Sequence, residues 1–414
     1  MTLEKLDLYL ASFNLPCDLT LLPSSAYLVG GSVRDALLNR PKDKLDLDFV
    51  LPEKAVATAR EIARQYHGGF VVLDEAREIA RVVFEQGTLD LALQEGNSLE
   101  IDLQRRDFTI NAIAYNFSEG KLIDPLGGIA DLAAGIIRMV AGANLKDDPL
   151  RLLRAYRQAA QLDFTIEENT RRTIRSLAPL LTTVAAERIQ AELNYIFLAP
   201  GGSKWLTAAW EDSLLQPWLA TINAEKLARL TAVETIINHL SDRGLIQEAD
   251  KSELLITAKL ATLVSPTPEI AETELTQLKY SRSRVKAVST TVRYLPQLQN
   301  LTSLFGLKEQ YFFFLEIKNT FPLLIISAIA TGVSSKITES LIERYLNPQD
   351  PVAHPQPLVT GNDLIQQLNL KPSPVIGKLL TAIQIAYIED KISTPSQAIE
   401  FAYNWIINHP TLSG

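Results

Sequence analysis

The chain has 414 residues, 47% of them hydrophobic, and a formal net charge of −8 at neutral pH. That length suggests about two to four domains, the composition excludes a disordered chain, and the acidic balance argues mildly against a nucleic-acid partner, whose phosphates need Lys and Arg. One cysteine, Cys17, excludes a disulfide framework and a cysteine-based zinc site and fits a reducing, cytoplasmic setting. In chain order, residues 1–15 read as an amphipathic helix and not as a signal peptide. An apolar run at 26–29 ends at Gly30-Gly31, and 33–38 reads as a short helix. Residues 45–50 alternate apolar and acidic side chains and form a strand; 54–66 form a charged, Ala-rich helix. Residues 69–73, 80–84 and 89–93 are three more strands, 107–114 a helix, and Asp124-Pro125 with Gly127-Gly128 a turn cluster. From Asp147 onward strand signals vanish and helical periodicity dominates. Leu152, Tyr156, Ala159 and Ala160 make an apolar stripe with arginines opposite. Proline and glycine break the helices at 200–202, 266–268 and 348–357, and 358–407 is a last helical unit. No uninterrupted apolar run is long enough to span a bilayer; 321–331 reads as a buried helix.

The sharpest local feature is Asp46-Leu47-Asp48. On a strand, residues two apart face the same way, so Leu45, Leu47 and Phe49 pack inward and the two carboxylates project together. Like charges this close repel unless a cation sits between them, and an oxygen-preferring divalent ion such as Mg²⁺ resolves the repulsion and can hold a triphosphate. Asp90, on another strand, is a candidate third ligand. Two metal ions held in this way can activate a 3′-hydroxyl and stabilise a leaving pyrophosphate. Alone, an Asp-x-Asp is more often an exposed strand with alternating charge. Here Gly30-Gly31-Ser32-Val33-Arg34-Asp35 lies upstream, between a strand and a helix. Paired glycines let backbone approach a ligand, N–H groups at a helix start favour phosphate, and Arg34 adds a forked donor. This combination resembles the nucleotidyltransferase superfamily shared by DNA polymerase β, poly(A) polymerases and CCA-adding enzymes.

Three further segments narrow the resemblance: Arg105-Arg106-Asp107-Phe108-Thr109-Ile110-Asn111-Ala112, then Asp147-Asp148-Pro149-Leu150-Arg151-Leu152-Leu153-Arg154-Ala155-Tyr156-Arg157, then Glu187-Arg188-Ile189 with Glu192-Leu193. In this order they look like the motifs of class II, bacterial-type CCA-adding enzymes and bacterial poly(A) polymerases, over about residues 25–195. A weaker likeness to the family's tail covers residues 358–402. The resemblance implies an α+β fold, with a polymerase-β-like head at 1–145, a neck with a base-reading helix at 146–200, a helical body at 201–350 and a helical, tRNA-binding tail at 351–414. It implies template-independent addition of CMP, with AMP left open, from CTP or ATP to a tRNA 3′ end, with Mg²⁺ on Asp46 and Asp48. It further implies that Gly30, Gly31, Arg34, Arg106 and Asn111 contact the nucleotide and that Asp107 meets its ribose.

Elementary chemistry supports the second segment's role. Asp148 and Arg151, three apart, are expected on one face of a helix. Cytosine and adenine each present an amino donor beside a ring-nitrogen acceptor, which a carboxylate and a guanidinium match. Guanine and uracil reverse that order, and mispairing buried groups costs about 1–3 kcal/mol each. Arg154 and Arg157 continue the spacing, along the triphosphate. Taken alone, the Asp148–Arg151 spacing also describes a surface ion pair.

Two departures from the family stand out. Asp147-Asp148 replaces its usual Glu-Asp and keeps the charge. Between 89–93 and Arg105, where full CCA-adding enzymes carry a longer flexible loop, only residues 94–104 intervene; that points to CC addition, with a separate A-adding enzyme completing the terminus. None of the four histidines pairs with an Asp neighbour, so no phosphohydrolase activity is expected. Arg171, Arg172 and Arg175, and the basic residues from Lys279 to Lys286, are candidate phosphate contacts. An A-adding enzyme or a poly(A) polymerase with the same head, and a non-catalytic RNA-binding relative, remain as rivals.

Overall fold

The computed structural model describes residues 17–40 and 44–409; the helix expected at 1–15 lies outside them. The chain divides at Pro217/Trp218 into two units.

The first unit is built on strands β1 (Tyr27–Val29), β2 (Leu45–Leu51), β3 (Gly69–Asp74), β4 (Ile79–Phe84), β5 (Gly87–Leu93), β6 (Ala114–Asn116) and β7 (Lys121–Ile123). They form one mixed sheet in the order β3-β4-β5-β2-β1-β6-β7. Within it β2 and β5 run parallel, and the other neighbours run antiparallel. The alternation in β2 settles its faces: Leu47, Phe49 and Leu51 are buried and the aspartates point the other way. Leu89 and Leu91 of β5 and Ala80 and Val82 of β4 are buried too. Helix α1 (Gly31–Leu37) follows β1, and helix α2 (Ala55–Gln65) lays Ala55, Ala59, Ile62 and Ala63 against β3, β4 and β5.

The helix expected at 107–114 is not there. Phe108 is extended and bridges Met139; a 3-10 turn covers Thr109–Asn111, and β6 begins at Ala114. The reason is burial on every side. Phe108, Ile110, Ala112, Ile113 and Ala114 all have zero exposure, so no polar face is left for a surface helix, and the backbone bonds instead to Arg138 and Val140. The turn at Asp124 starts a helix unforeseen from sequence: its carboxylate accepts from the amide N–H groups of Gly128 and Ile129.

Residues 94–104 are not loop throughout. After a five-residue connection comes helix α3 (Leu99–Gln104), capped by Ser98. Helices α4 (Gly128–Ala134), α5 (Gly142–Asp147), α6 (Leu150–Leu162), α7 (Glu168–Leu177), α8 (Ala186–Leu198) and α9 (Gly202–Glu211) complete the unit. Leu152, Tyr156, Ala159 and Ala160 of α6 are buried, as the stripe requires. Strand signal does not vanish entirely past Asp147, since Thr165–Ile166 pairs with Ile136–Ile137.

In the second unit all assigned elements among the described residues are helical. Its larger core gathers Val233, Ile237, Phe314, Phe321, Leu324, Ile326 and Leu341. Leu307–Ala330 is long and apolar enough by length and composition to cross a membrane. It contains a 3-10 turn at Lys318–Thr320, and its Phe313, Phe314, Phe321 and Leu324 lie in this core. A smaller core under residues 358–406 joins the last three helices around Leu364, Leu379 and Ala402.

Candidate active site

Asp46 and Asp48 share one face of β2, Asp46 exposed and Asp48 half-buried. Parallel pairing sets Thr88 beside Asp46 and Asp90 beside Asp48. Thr88 Oγ1 donates to Asp46 Oδ1 at 3.2 Å, and the Ser32 hydroxyl donates to the Asp46 carbonyl. Asp90 is on the expected face, but Arg81 grips both its oxygens, each at 2.7 Å. Among the described residues no group of three or more His, Cys, Asp or Glu side chains is arranged to hold a metal ion. The pair Asp46 and Asp48 nevertheless suits Mg²⁺, which takes hard oxygen ligands and is usually held by one or two carboxylates plus substrate phosphates.

Gly30 lies beside Asp48 with φ of +76°, a conformation glycine adopts without strain. A Cβ there would meet Arg106 Nη1 at 3.4 Å and Asp48 Oδ2 at 3.5 Å. With no side chain at Gly30, the space between Asp48 and Arg106 stays open. Gly31 begins α1.

From this loop a chain of polar contacts runs into the unit. Arg34 is not an open fork: Nε and Nη2 bond Asp35 and Nη1 donates to Asn111 Oδ1 at 2.8 Å. Asn111 donates in turn to Asp107 and Gln158. Arg154 donates to Asp107 Oδ2 at 3.2 Å, and Arg157 bonds Glu192 at 2.6 Å. Asp107 is buried, which alone would raise its pKa. Arg154, the Asn111 amide, the Phe108 N–H and Arg151 outweigh that and hold the carboxyl below its usual range. Five residues singled out from sequence therefore form one network, completed by Asp35, Gln158 and Glu192.

Asp148 and Arg151 are not on one helix face. Asp148 is extended, with φ −130° and ψ 91°, and precedes α6, whose first turn carries Arg151. Pro149 between them explains this, because the residue before a proline avoids the helical region. Asp148 pairs with Arg188 of α8 at 3.0 Å. Arg151 donates to the carbonyls of Arg105 and Asn144. Both nonetheless line one cleft of about 500 Å³ with Arg77, Glu95, Asp102, Arg105, Arg106 and Arg188. Its floor includes Val50, Ala92 and Ile79. These are the next positions along the sheet face from Asp48, Asp90 and Arg81, so carboxylates and cleft form a continuous surface.

Two further residues, Asp102 and Asn144, position the site without belonging to any of the motifs. Buried Asp102 holds Arg106, and Asn144 Nδ2 ties down the carbonyls of Gln104 and Arg106. The four-residue spacing of Asp102 and Arg106 was a usable signal; nothing local marks Asn144. Arg171 and Arg175, expected on phosphate, both bond the buried Asp212 carboxylate, and Arg284 bonds Glu253.

Comparison with known proteins places three family models on the chain. They are the poly A polymerase head domain at residues 26–138, the probable RNA and SrmB-binding site of polymerase A at 163–225, and a putative tRNA nucleotidyltransferase domain 2 at 248–402. The CC-adding tRNA nucleotidyltransferase of Synechocystis is 51% identical over 398 residues, 94% of this chain and 95% of that protein. The CCA-adding enzyme of Leuconostoc citreum is 28% identical, over 92% of this chain and 93% of its own. Among solved structures, the Thermotoga maritima CCA-adding enzyme complexed with tRNA shares the fold, with a TM-score of 0.69 at 23% identity, covering 92% of this chain and 91% of that one.

Proposed function

The chain belongs to the tRNA nucleotidyltransferase family, and from that membership we propose that it adds two CMP residues in succession from CTP to the 3′ end of tRNA, without a nucleic-acid template. The observation that carries this reading is the 51% identity, along 94% of the chain, to a CC-adding relative. The short connection between β5 and α3 agrees with it. Family members use a divalent metal; in this reading it is Mg²⁺, held by Asp46 and Asp48. When bound, it supplies activation of the tRNA 3′-hydroxyl and charge neutralisation of the pyrophosphate.

The remaining work falls to the protein's own side chains. Gly30 leaves room for the triphosphate beside Arg106. In the cleft, Asp148 accepts from the cytosine amino group and Arg151 donates to the ring nitrogen. Arg188 holds the Asp148 carboxylate, and the two carbonyls hold the Arg151 guanidinium, so both arrive oriented. Asp107, kept ionised by Arg154, faces the ribose. Arg154 and Arg157 also brace α6 against α8 through Glu192. The helical remainder grips tRNA by backbone shape.

The test uses three tRNAs, ending before CCA, after C and after CC, each offered CTP, ATP, GTP or UTP singly. CMP should enter the first two, and nothing should enter the third. AMP addition to the third would make the protein a full CCA-adding enzyme, and repeated AMP addition a poly(A) polymerase. Asp46→Ala should abolish incorporation and leave tRNA binding largely intact; retained activity would overturn the metal assignment.

A further inference from the structure

Asp90 occupies the place where a third carboxylate ligand is looked for, next to Asp48 on the same sheet face. Its partner is already settled. Arg81 stands opposite it on β4, and the antiparallel register runs without a break from Ile79 to Phe84. The guanidinium meets the carboxylate as a fork, Nε to Oδ1 and Nη2 to Oδ2, both at 2.7 Å. Charge-assisted paired bonds of this kind are among the stronger polar contacts and fix orientation as well as distance. The Arg81 side chain is 40% exposed and that of Asp90 17%, so the pair lies at the surface of the acidic face and not beneath it. The bond to Asp90 holds Arg81 more firmly protonated, and the charges of Asp90, Asp46 and Asp48 add to this. On the sheet face Arg81 stands opposite Asp90, and Asp90 stands beside Asp48.

We propose that Arg81 is a positioning residue that withholds Asp90 from the metal and serves as resident counter-charge to the acidic face, leaving Asp46 and Asp48 to hold the ion. The physical ground is repulsion. Strands lie about 4.8 Å apart, so three carboxylates on adjacent strands repel one another unless a cation is fixed among them. Arg81 supplies that cation before any metal arrives. It also lowers the negative potential that draws the metal in, so the ion binds weakly until a triphosphate contributes its own oxygens. Removing the charge, while leaving Asp90, should release a third carboxylate and deepen the potential.

This inference rests on the metal reading above. Its test is a Mn²⁺ titration without nucleotide, following free Mn²⁺ by electron paramagnetic resonance, with each variant's folding checked by circular dichroism. Arg81→Gln should bind Mn²⁺ about fivefold more tightly than wild type, an order-of-magnitude figure for removing one charge near a divalent ion. Arg81→Lys, which keeps the charge, should stay near wild type. Asp90→Asn should bind more weakly, and Arg81→Gln with Asp90→Asn should return to about the wild-type value. Unchanged or weaker binding by Arg81→Gln would overturn the proposal. So would a double variant as weak as Asp90→Asn, because Asp90 would then be a direct ligand. Loss of CMP incorporation by the wild-type protein would sink the proposed function while leaving this order of affinities intact.

Discussion

Asp148 and Arg188 meet at 3.0 Å on a half-exposed surface, with side chains 31% and 51% accessible. Such a pair contributes little to stability, roughly 0–1 kcal/mol, so its interest lies in orientation. Asp148→Ala should leave the melting temperature nearly unchanged. It should lower the preference for CTP over UTP about tenfold or more, since mispaired buried groups cost about 1–3 kcal/mol each. Single-nucleotide incorporation from each triphosphate checks this, and unchanged selectivity would remove Asp148 from base reading. At this scale the residue types were legible and their partners were not. Arg34, Arg154 and Arg157 were expected as open cations, but Asp35 with Asn111, Asp107 and Glu192 hold them.

Among the elements, the junction of α6, α7 and α9 depends on one carboxylate. Asp212, with a side chain of zero exposure, accepts from the Tyr156 hydroxyl, Arg171 Nε and Arg175 Nε. Burial by itself would raise the Asp212 pKa, but bonds from Arg171, Tyr156 and Arg175 and the Arg171 charge hold it below the usual carboxylate range. A folded-state pKa below the unfolded one contributes stability above the unfolded value, about 3.9. That stability is lost as pH falls from there through the folded value. Asp212→Asn should therefore destabilise the protein at neutral pH by about 1–3 kcal/mol. That corresponds to a fall of roughly 2–12 °C in melting temperature for a unit of this size. Its melting temperature should also decline less than wild type between pH 4 and 2, as scanning calorimetry at stepped pH would show. A parallel acid decline in both proteins would remove Asp212 as the titrating group. The connection after β5 is also decided among elements. Its shortness is visible in sequence, but Ser98 capping α3, the Glu95 N–H donating to Asp102, and Arg105 pairing with Glu95 make it a pinned turn. Gly96, with φ of +80°, allows that turn; a Cβ there would stand 2.5 Å from Ile101 Cγ2.

For the whole molecule, a net charge of −8 has to be reconciled with a polyanionic substrate. Five arginines, Arg77, Arg105, Arg106, Arg151 and Arg188, line the cleft together with Glu95, Asp102, Asp147 and Asp148, so the cleft is not itself a strongly basic face. Binding of tRNA phosphates to individual Lys and Arg side chains of an acidic protein should be strongly salt-dependent, because each phosphate contact releases counterions. tRNA affinity should fall at least about tenfold between roughly 50 and 200 mM salt, measurable by filter binding; a flat response would point to non-ionic recognition. Sequence by itself determined the strand alternation of β2, the Gly-Gly entry to α1, the amphipathic α6 and the family motifs, because each depends on local periodicity or on spacing within a short segment. Tertiary structure alone decided that Asp90 belongs to Arg81, Asp148 to Arg188 and Arg171 to Asp212, and that 107–114 is turn and strand. Those outcomes depend on sheet register, helix packing and burial from all sides, which bring together residues far apart in the chain and leave no pattern along it.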